Sequence, residues 1–275
     1  MIKTIALLGS TGSIGNSTLK SINKDKKFKI ILLTTNSNIK KIYKQAIKFK
    51  VKNVIVEDGE KYQKFKYKFK KKKINLYLGI NKIKQIIKKK IDYCVNGISG
   101  IEGLEPSLNM IPLSKNFLMA NKEAIICGWE LISKKIKISK TNFVPLDSEH
   151  FSIWNLLKKE DINLVEKVVL TASGGPFLNK SHKQLKNIKP HFALNHPNWK
   201  MGKKISIDSS NMMNKIFEYI EAKKIFNLKK KNLSILIHPQ SYVHAIIYFK
   251  GNLIKLLAHD TNMTVPISNA LEIKK

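Results

Sequence analysis

The residues best equipped for chemistry fall into a few short segments. Asp147 and Glu149 stand two apart behind an apolar run, Asn142 to Pro145, that reads as a strand. In an extended chain both carboxylates would point to one side. Hard oxygen donors arranged in this way suit Mg²⁺ or Mn²⁺ rather than Zn²⁺, although paired acids after a strand are also common on plain surfaces. A third acid is needed, and Ser209-Ser210-Asn211-Met212-Met213-Asn214-Lys215-Ile216-Phe217-Glu218 supplies a candidate. Here Asn214 and Lys215 precede Glu218 by four and three residues on one helical face, and a serine at the helix start could cap free N–H groups. Hydroxyl, amide and ammonium together suit a phosphate and leave Glu218 for a metal. A salt-bridged surface helix would carry the same residues.

Gly9, Gly12 and Gly15 are spaced G-x-x-G-x-x-G between an apolar run, Ile5 to Leu8, and a helical stretch, Asn16 to Ile22. Glycines there let the backbone approach a pyrophosphate resting on the helix N-terminus; a tight turn with no ligand would look the same. The end of the second strand adds information. Thr34-Thr35-Asn36-Ser37-Asn38-Ile39-Lys40-Lys41 has no acid for a ribose 2′-hydroxyl but offers hydroxyls, amides and lysines, which favours NADP over NAD.

Ser173-Gly174-Gly175-Pro176-Phe177 is a turn able to nest phosphate oxygens or simply to reverse the chain. Asn195-His196-Pro197-Asn198-Trp199-Lys200-Met201-Gly202 places Trp and Met in a polar loop bounded by Pro and Gly, as a lid or as a loop pinned by its aromatic anchor. His238-Pro239-Gln240-Ser241 and His244 flank strands, where structural roles are commoner than functional ones. Lys64 to Lys73 interleaves aromatics with lysines; it reads chiefly as an amphipathic surface element, with base stacking as the alternative.

Positioning these residues requires alternating β and α elements. Strands are expected at Ile5–Leu8, Lys29–Thr35, Val51–Val56, Tyr93–Asn96, Asn116–Met119 and Asn142–Pro145, with helices at Asn16–Ile22 and Ile39–Phe49. That alternation predicts an α/β fold with a doubly wound parallel sheet. The pattern then turns mixed, with strands at Val165–Thr171, Ile205–Asp208, Ser234–Ile237, Val243–Phe249 and Leu253–Ala258 and a helix over about Asn211–Phe226. Two domains are expected, residues 1–145 for the dinucleotide and 146–275 for catalysis.

All 51 basic residues are Lys, and they outnumber 19 acids to give a net charge of +32. Nucleic-acid readers lean on the bidentate fork of Arg, and lysines spread over loops and elements alike argue for compositional drift. A basic nucleic-acid-binding protein is therefore the least favoured class. Cys94 and Cys127 form no paired motif, which fits a reducing cytosol. The first strand starts within the opening residues, leaving no room for a signal peptide, and no run of 18 apolar residues occurs.

Seven motifs, Gly9–Gly15, Ala120–Glu123, Pro145–His150, Ser173–Phe177, His196–Gly202, Met212–Lys215 and His238–Ser241, closely resemble the 1-deoxy-D-xylulose 5-phosphate reductoisomerase family and stand in the family's order. The resemblance implies a cytoplasmic, homodimeric enzyme of isoprenoid precursor synthesis. With NADPH and Mg²⁺ or Mn²⁺, and Co²⁺ as a further option, it would rearrange and reduce a sugar phosphate to 2-C-methyl-D-erythritol 4-phosphate. It further implies a Rossmann-like domain followed by an α+β catalytic domain. Carried over by position, Asp147, Glu149 and Glu218 would hold the metal, and Lys122, Glu149, His196 and Glu218 would serve catalysis. Ser148, Ser173, His196, Trp199, Ser209, Asn214 and Lys215 would bind substrate. Gly9, Thr11, Gly12, Ser13, Ile14, Gly15, Asn36, Ser37, Asn38, Asn121, Glu123 and Gly202 would bind the cofactor.

Three departures stand out. Asn36-Ser37-Asn38 replaces a turn in which the family usually carries Gly-Lys before the Asn, a basic residue is missing near Thr264, and the family's C-terminal helical domain is expected to be absent. The competing reading is a catalytically impaired NADP-binding remnant of the same family.

Overall fold

Ile5 to Leu8 is an uninterrupted apolar run, as expected for a strand covered on both faces. In the computed structural model, which describes residues 2–23, 25–199 and 202–273, it forms the buried part of β1 (Lys3–Leu8). The chain divides into two units, one running to Leu146 and including the segment from Ile267, the other comprising Asp147–Pro266.

In the first unit β1 is followed by α1 (Ser13–Ile22), β2 (Phe28–Thr35), α2 (Ile39–Lys48), β3 (Asn53–Val56), α3 (Gly59–Lys71), β4 (Asn75–Leu78) and α4 (Ile83–Ile86). Then come β5 (Ile91–Asn96), α5 (Leu104–Met110), β6 (Ser114–Met119), α6 (Lys122–Ser139) and β7 (Asn142–Pro145). The seven strands form one parallel sheet in the order β4-β3-β2-β1-β5-β6-β7. The order reverses between β1 and β5, and in such sheets the crevice beyond the strands' carboxyl ends at that point takes the ligand.

Local sequence explains the helix starts. The Asn38 side chain caps α2 at Lys41 N and that of Asp58 caps α3 at Lys61 N. The lysine-rich stretch is the body of α3, an amphipathic surface helix whose one fully buried residue is Phe69. Gly15 sits where α1 closes on the glycine turn; a Cβ there would lie 2.4 Å from Ser10 Cα, so only glycine permits this approach.

The second unit contains α7 (Ser148–Leu157), β8 (Val165–Ala172), α8 (His182–Leu185), α9 (Lys203–Ser210), α10 (Met213–Ile225), β9 (Leu233–Ile237), β10 (Val243–Phe249) and β11 (Ile254–Ala258). Its mixed sheet runs β11-β10-β8-β9. Val168 and Leu170 of β8 and Ala245, Ile247 and Phe249 of β10 form a core with Ile153 of α7 and Ala222 of α10. The register places Leu256 opposite Ile246 and Ile254 opposite Tyr248, on the other face, where Leu256 is 55% and Ile254 52% exposed.

Three expectations need correction. Ile205–Asp208 is part of helix α9: its alternating isoleucines imitate a strand, but Ser206 is the buried position and Lys204 pairs with Asp208 one turn on. Ser148–Leu157 is a helix that went unrecognised. The boundary also differs, since α11 (Thr264–Ala270) carries the chain back to the first unit, where Ser268 bonds Ser21 and Glu272 pairs with Lys3.

Candidate active site

Two sites emerge, one in each unit. In the first, a cleft of about 930 Å³ opens at the switch point. Gly9, Thr11 and Gly12 of the glycine turn line it, together with Asn36, Ser37 and Asn38 beyond β2 and Gly97 to Ser99 beyond β5. Hydroxyls hold its rim: Thr11 and Thr35 share a hydrogen bond of 2.7 Å, and Thr34 Oγ1 accepts the N–H of Gly9 at 2.9 Å.

Ser13, Ile14 and Gly15 belong to α1 rather than to the lining, with Ile14 packed close over Gly97. Asn121 caps α6, accepting Ala124 N–H at 2.8 Å and donating to the Gly100 carbonyl, also at 2.8 Å. It thereby ties α6 to the segment after β5. Lys122 and Glu123, half-buried, open the same helix. Size, glycine turn and strand order suit a dinucleotide.

The second site is built on α7 and α10. Asp147 is the N-cap residue of α7 and Glu149 its second residue, so a helix start brings the two acids together, not an extended strand. Glu218 lies one turn into α10 and is 2% exposed. Each of the three acids offers an oxygen within 4.8 Å of the others'. An all-oxygen set at this spacing fits Mg²⁺ or Mn²⁺.

Cations already sit among these acids. The ammonium of Lys215 lies 2.8 Å from Glu149 Oε1 and also contacts Glu218 Oε2. Burial opposes its charge, but Glu149 and Glu218 outweigh that and raise its pKa. His150, fully buried, bonds the Glu218 carbonyl through Nε2 at 2.8 Å and turns Nδ1 toward Asp147 and Glu221, at 3.5 and 3.6 Å. Burial alone would lower its pKa; Glu221, Asp147 and Glu218 raise it to about 9. With all four carboxylates ionised, two cations leave a net charge of −2, which a divalent ion would neutralise. Asn214 Nδ2 donates to Glu218 Oε1 at 2.6 Å, and Ser148 Oγ donates to Glu149 Oε2 at 2.5 Å, fixing both carboxylates.

Around this cluster the Ser173–Gly175 turn reaches the junction of α9 and α10. Gly175 has φ +73°, and a Cβ on it would lie 2.4 Å from the Ser209 carbonyl oxygen. His196 Nδ1 accepts the N–H groups of Asn198 at 3.2 Å and Trp199 at 3.0 Å, so its proton resides on Nε2, which donates to Ser173 Oγ at 3.0 Å. Burial lowers the pKa of His196, in keeping with a neutral ring. Ser173 Oγ also accepts Gly175 N–H at 3.2 Å, which leaves its own proton to point elsewhere. Asn198 anchors the loop on the Ser241 hydroxyl at 3.0 Å, and Trp199 packs edge-on to His244. Lys200 and Met201 lie outside the described residues.

The expected serine caps are absent: Ser209 and Ser210 close α9, the Ser210 hydroxyl returns to the Ile207 carbonyl, and α10 starts after Met212 in a left-handed conformation, φ +64°. Gly202 is the N-cap residue of α9, in the second unit.

Similarity settles the family. Residues 5–128 match the family profile of 1-deoxy-D-xylulose 5-phosphate reductoisomerase and residues 143–226 that of its C-terminal domain. The curated reductoisomerase of Pelagibacter ubique (strain HTCC1062) is 55% identical over 273 residues, 98% of this chain and 70% of that protein. The chain belongs to this family.

Solved reductoisomerases share its fold. A crystal structure of DOX-P reductoisomerase in complex with NADPH, fosmidomycin and magnesium matches with a TM-score of 0.91 at 33% identity, covering 100% of this chain and 70% of that one. The Zymomonas mobilis reductoisomerase in complex with NADPH gives 0.89 at 31%, covering 98% and 70%. His150 lies in the Pro145–His150 motif with no role expected for it, and Glu221 lies in none of the seven motifs. Glu221 follows Glu218 by three residues on the same helical face, a signal that could have found it.

Proposed function

We propose that this chain converts 1-deoxy-D-xylulose 5-phosphate to 2-C-methyl-D-erythritol 4-phosphate, using NADPH and a divalent metal. The observation that carries the assignment is the convergence of Asp147, Glu149 and Glu218 around one point, with Lys215 and Asn214 on the same helix as Glu218.

Asp147, Glu149 and Glu218 would hold the ion. When bound, it would polarise the substrate's carbonyl and hydroxyl oxygens, while the nicotinamide supplies the hydride. Asn214 and Ser148 orient two of the acids, and the ion would take over the carboxylate oxygens that Lys215 contacts in its absence. Lys215, Asn214, Ser173 and Ser209 would grip the phosphate. Ser173 is set as a donor because His196 and Gly175 already fill its acceptor side. Binding energy gathered at the phosphate is then available for orienting the reacting carbons. His196 and Trp199 would close the loop over the ligand and exclude water.

In the first unit, the cleft residues Gly9, Thr11, Gly12, Asn36, Ser37 and Asn38 would bind the dinucleotide, with Ser13, Ile14 and Gly15 shaping the turn. Lys122 near substrate, and Asn121 and Glu123 near the nicotinamide, follow the family pattern alone. The open sheet face with Ile254 and Leu256 supports a homodimer formed through the second unit. Among the described residues no helix is long and apolar enough to cross a membrane; a cytoplasmic location follows the family pattern alone.

The test is NADPH oxidation with 1-deoxy-D-xylulose 5-phosphate and Mg²⁺ or Mn²⁺, running Glu218→Gln beside the native chain. Turnover that the substitution abolishes supports the reading. A folded native chain that binds NADPH without turnover identifies an impaired remnant instead.

A further inference from the structure

Strand β2 ends without an acid in Thr34-Thr35-Asn36-Ser37-Asn38, so the position that usually recognises a free ribose 2′-hydroxyl is empty of the required acceptor. The nearest acid along this rim, Glu57, follows β3, and its carboxylate accepts the N–H of Ile80. Two lysines open α2, and only one faces the glycine turn. Lys41 Nζ donates to the Thr11 carbonyl at 2.8 Å and is half-buried, whereas Lys40 is exposed. Successive helical residues point about 100° apart, so both cannot serve the same rim.

Lys41 therefore joins the two segments that flank the adenosine end of a dinucleotide: its ammonium bonds the glycine turn at Thr11, its backbone N–H donates to the Asn38 side chain at 3.3 Å, and both turns line the cleft. An ammonium has three protons and the Thr11 carbonyl takes one. No ion pair to a carboxylate holds Lys41 among the described residues, so its charge is available. Ser37, exposed beside it, adds a hydroxyl.

We propose that Lys41 is the residue that selects NADP over NAD, presenting its ammonium to the 2′-phosphate from the rim shared by Thr11 and the Asn36–Asn38 turn. The proposal rests on the reading of this cleft as the dinucleotide site. It assigns the selectivity to the helix after β2, where the turn itself carries no basic residue.

The experiment is equilibrium binding of NADP⁺, NAD⁺ and 2′,5′-ADP to the full chain by calorimetry, for the native protein and for Lys41→Met, Lys41→Arg and Lys44→Met. Lys44 is exposed on the same helix and controls for the loss of one charge. Loss of a charge-assisted contact predicts NADP⁺ and 2′,5′-ADP binding weaker by about tenfold in Lys41→Met, unchanged NAD⁺ binding, and retention of preference in Lys41→Arg. Equal losses in Lys41→Met and Lys44→Met would reduce the effect to bulk charge and overturn the proposal. Equal loss of NADP⁺ and NAD⁺ in Lys41→Met would overturn it too, by showing that Lys41 only props the glycine turn. A native chain that binds NADP⁺ no better than NAD⁺ would defeat the cofactor reading itself, a separate failure visible before any variant is made.

Discussion

Replacing Lys215 by Met tests whether the acids of the second unit are held together by an internal cation. Lys215 is 6% exposed, and its ammonium contacts Glu149 and Glu218. Met keeps most of the volume and removes the charge, so the metal-free variant must bury two carboxylates against each other. Removing one partner of a buried ion pair costs about 3–5 kcal/mol. For a unit of this size each kcal/mol moves the melting temperature by about 3–5 °C, so a drop of roughly 10–20 °C in EDTA is expected. Carboxylates deprived of their cation acquire raised pKa values in the folded state. Protonation relieves the repulsion in acid, so the deficit should shrink as pH falls and grow toward neutrality. Added Mg²⁺ replaces the missing charge and should stabilise the variant by about 2.7 kcal/mol at one hundred times its dissociation constant, and the native chain by less. Differential scanning calorimetry in EDTA and in Mg²⁺ reads all three effects. A variant that melts with the native chain in EDTA at neutral pH would refute the claim that Lys215 neutralises the acids.

Two further outcomes follow from individual residues. Gly175→Ala puts a Cβ at φ +73°, 2.4 Å from the Ser209 carbonyl oxygen. The left-handed conformation alone costs about 1–2 kcal/mol, and the forced retreat from Ser209 should raise KM for the sugar phosphate, measured by steady-state kinetics, while NADP⁺ binding stays unchanged. Asp92, whose burial is overcome by bonds from Lys115 and from the N–H and hydroxyl of Thr4, has its pKa lowered to about 2. Its contribution is present above the unfolded value near 4 and is lost as pH falls toward 2. It amounts to about 1–2 kcal/mol after allowance for a quarter-exposed side chain, so Asp92→Asn should flatten the acid-unfolding curve in that interval.

How much of this was legible depends on whether the signal is local. The glycine turn and the apolar runs of β1, β2 and β5 are written within a few residues, and the parallel sheet follows from them. Strand β4 was missed because an edge strand has one neighbour and little burial; Leu78 is 38% exposed. In α9, Ile205 and Ile207 alternate as in a strand, yet Ile207 is 46% exposed and tertiary packing selects Ser206 for the interior. The return of the last segment to the first unit rests on pairs such as Ser21 with Ser268, which no window of local sequence contains.

The metal cluster shows how a correct set of residues can be reached through a wrong geometry. Asp147 and Glu149 were placed on one side of an extended chain, but the buried His150, Phe151 and Ile153 that follow belong to a helix packed on β10. As N-cap and second residue, the two acids sit where the positive end of the helix favours negative charge. An extended pair would lack that support and would leave His150 no route to the Glu218 carbonyl. The helix thus does more than aim two ligands. It buries His150 between Asp147 and Glu221, and that histidine, with Lys215, offsets half the charge of the acid cluster and leaves the remainder for a divalent ion.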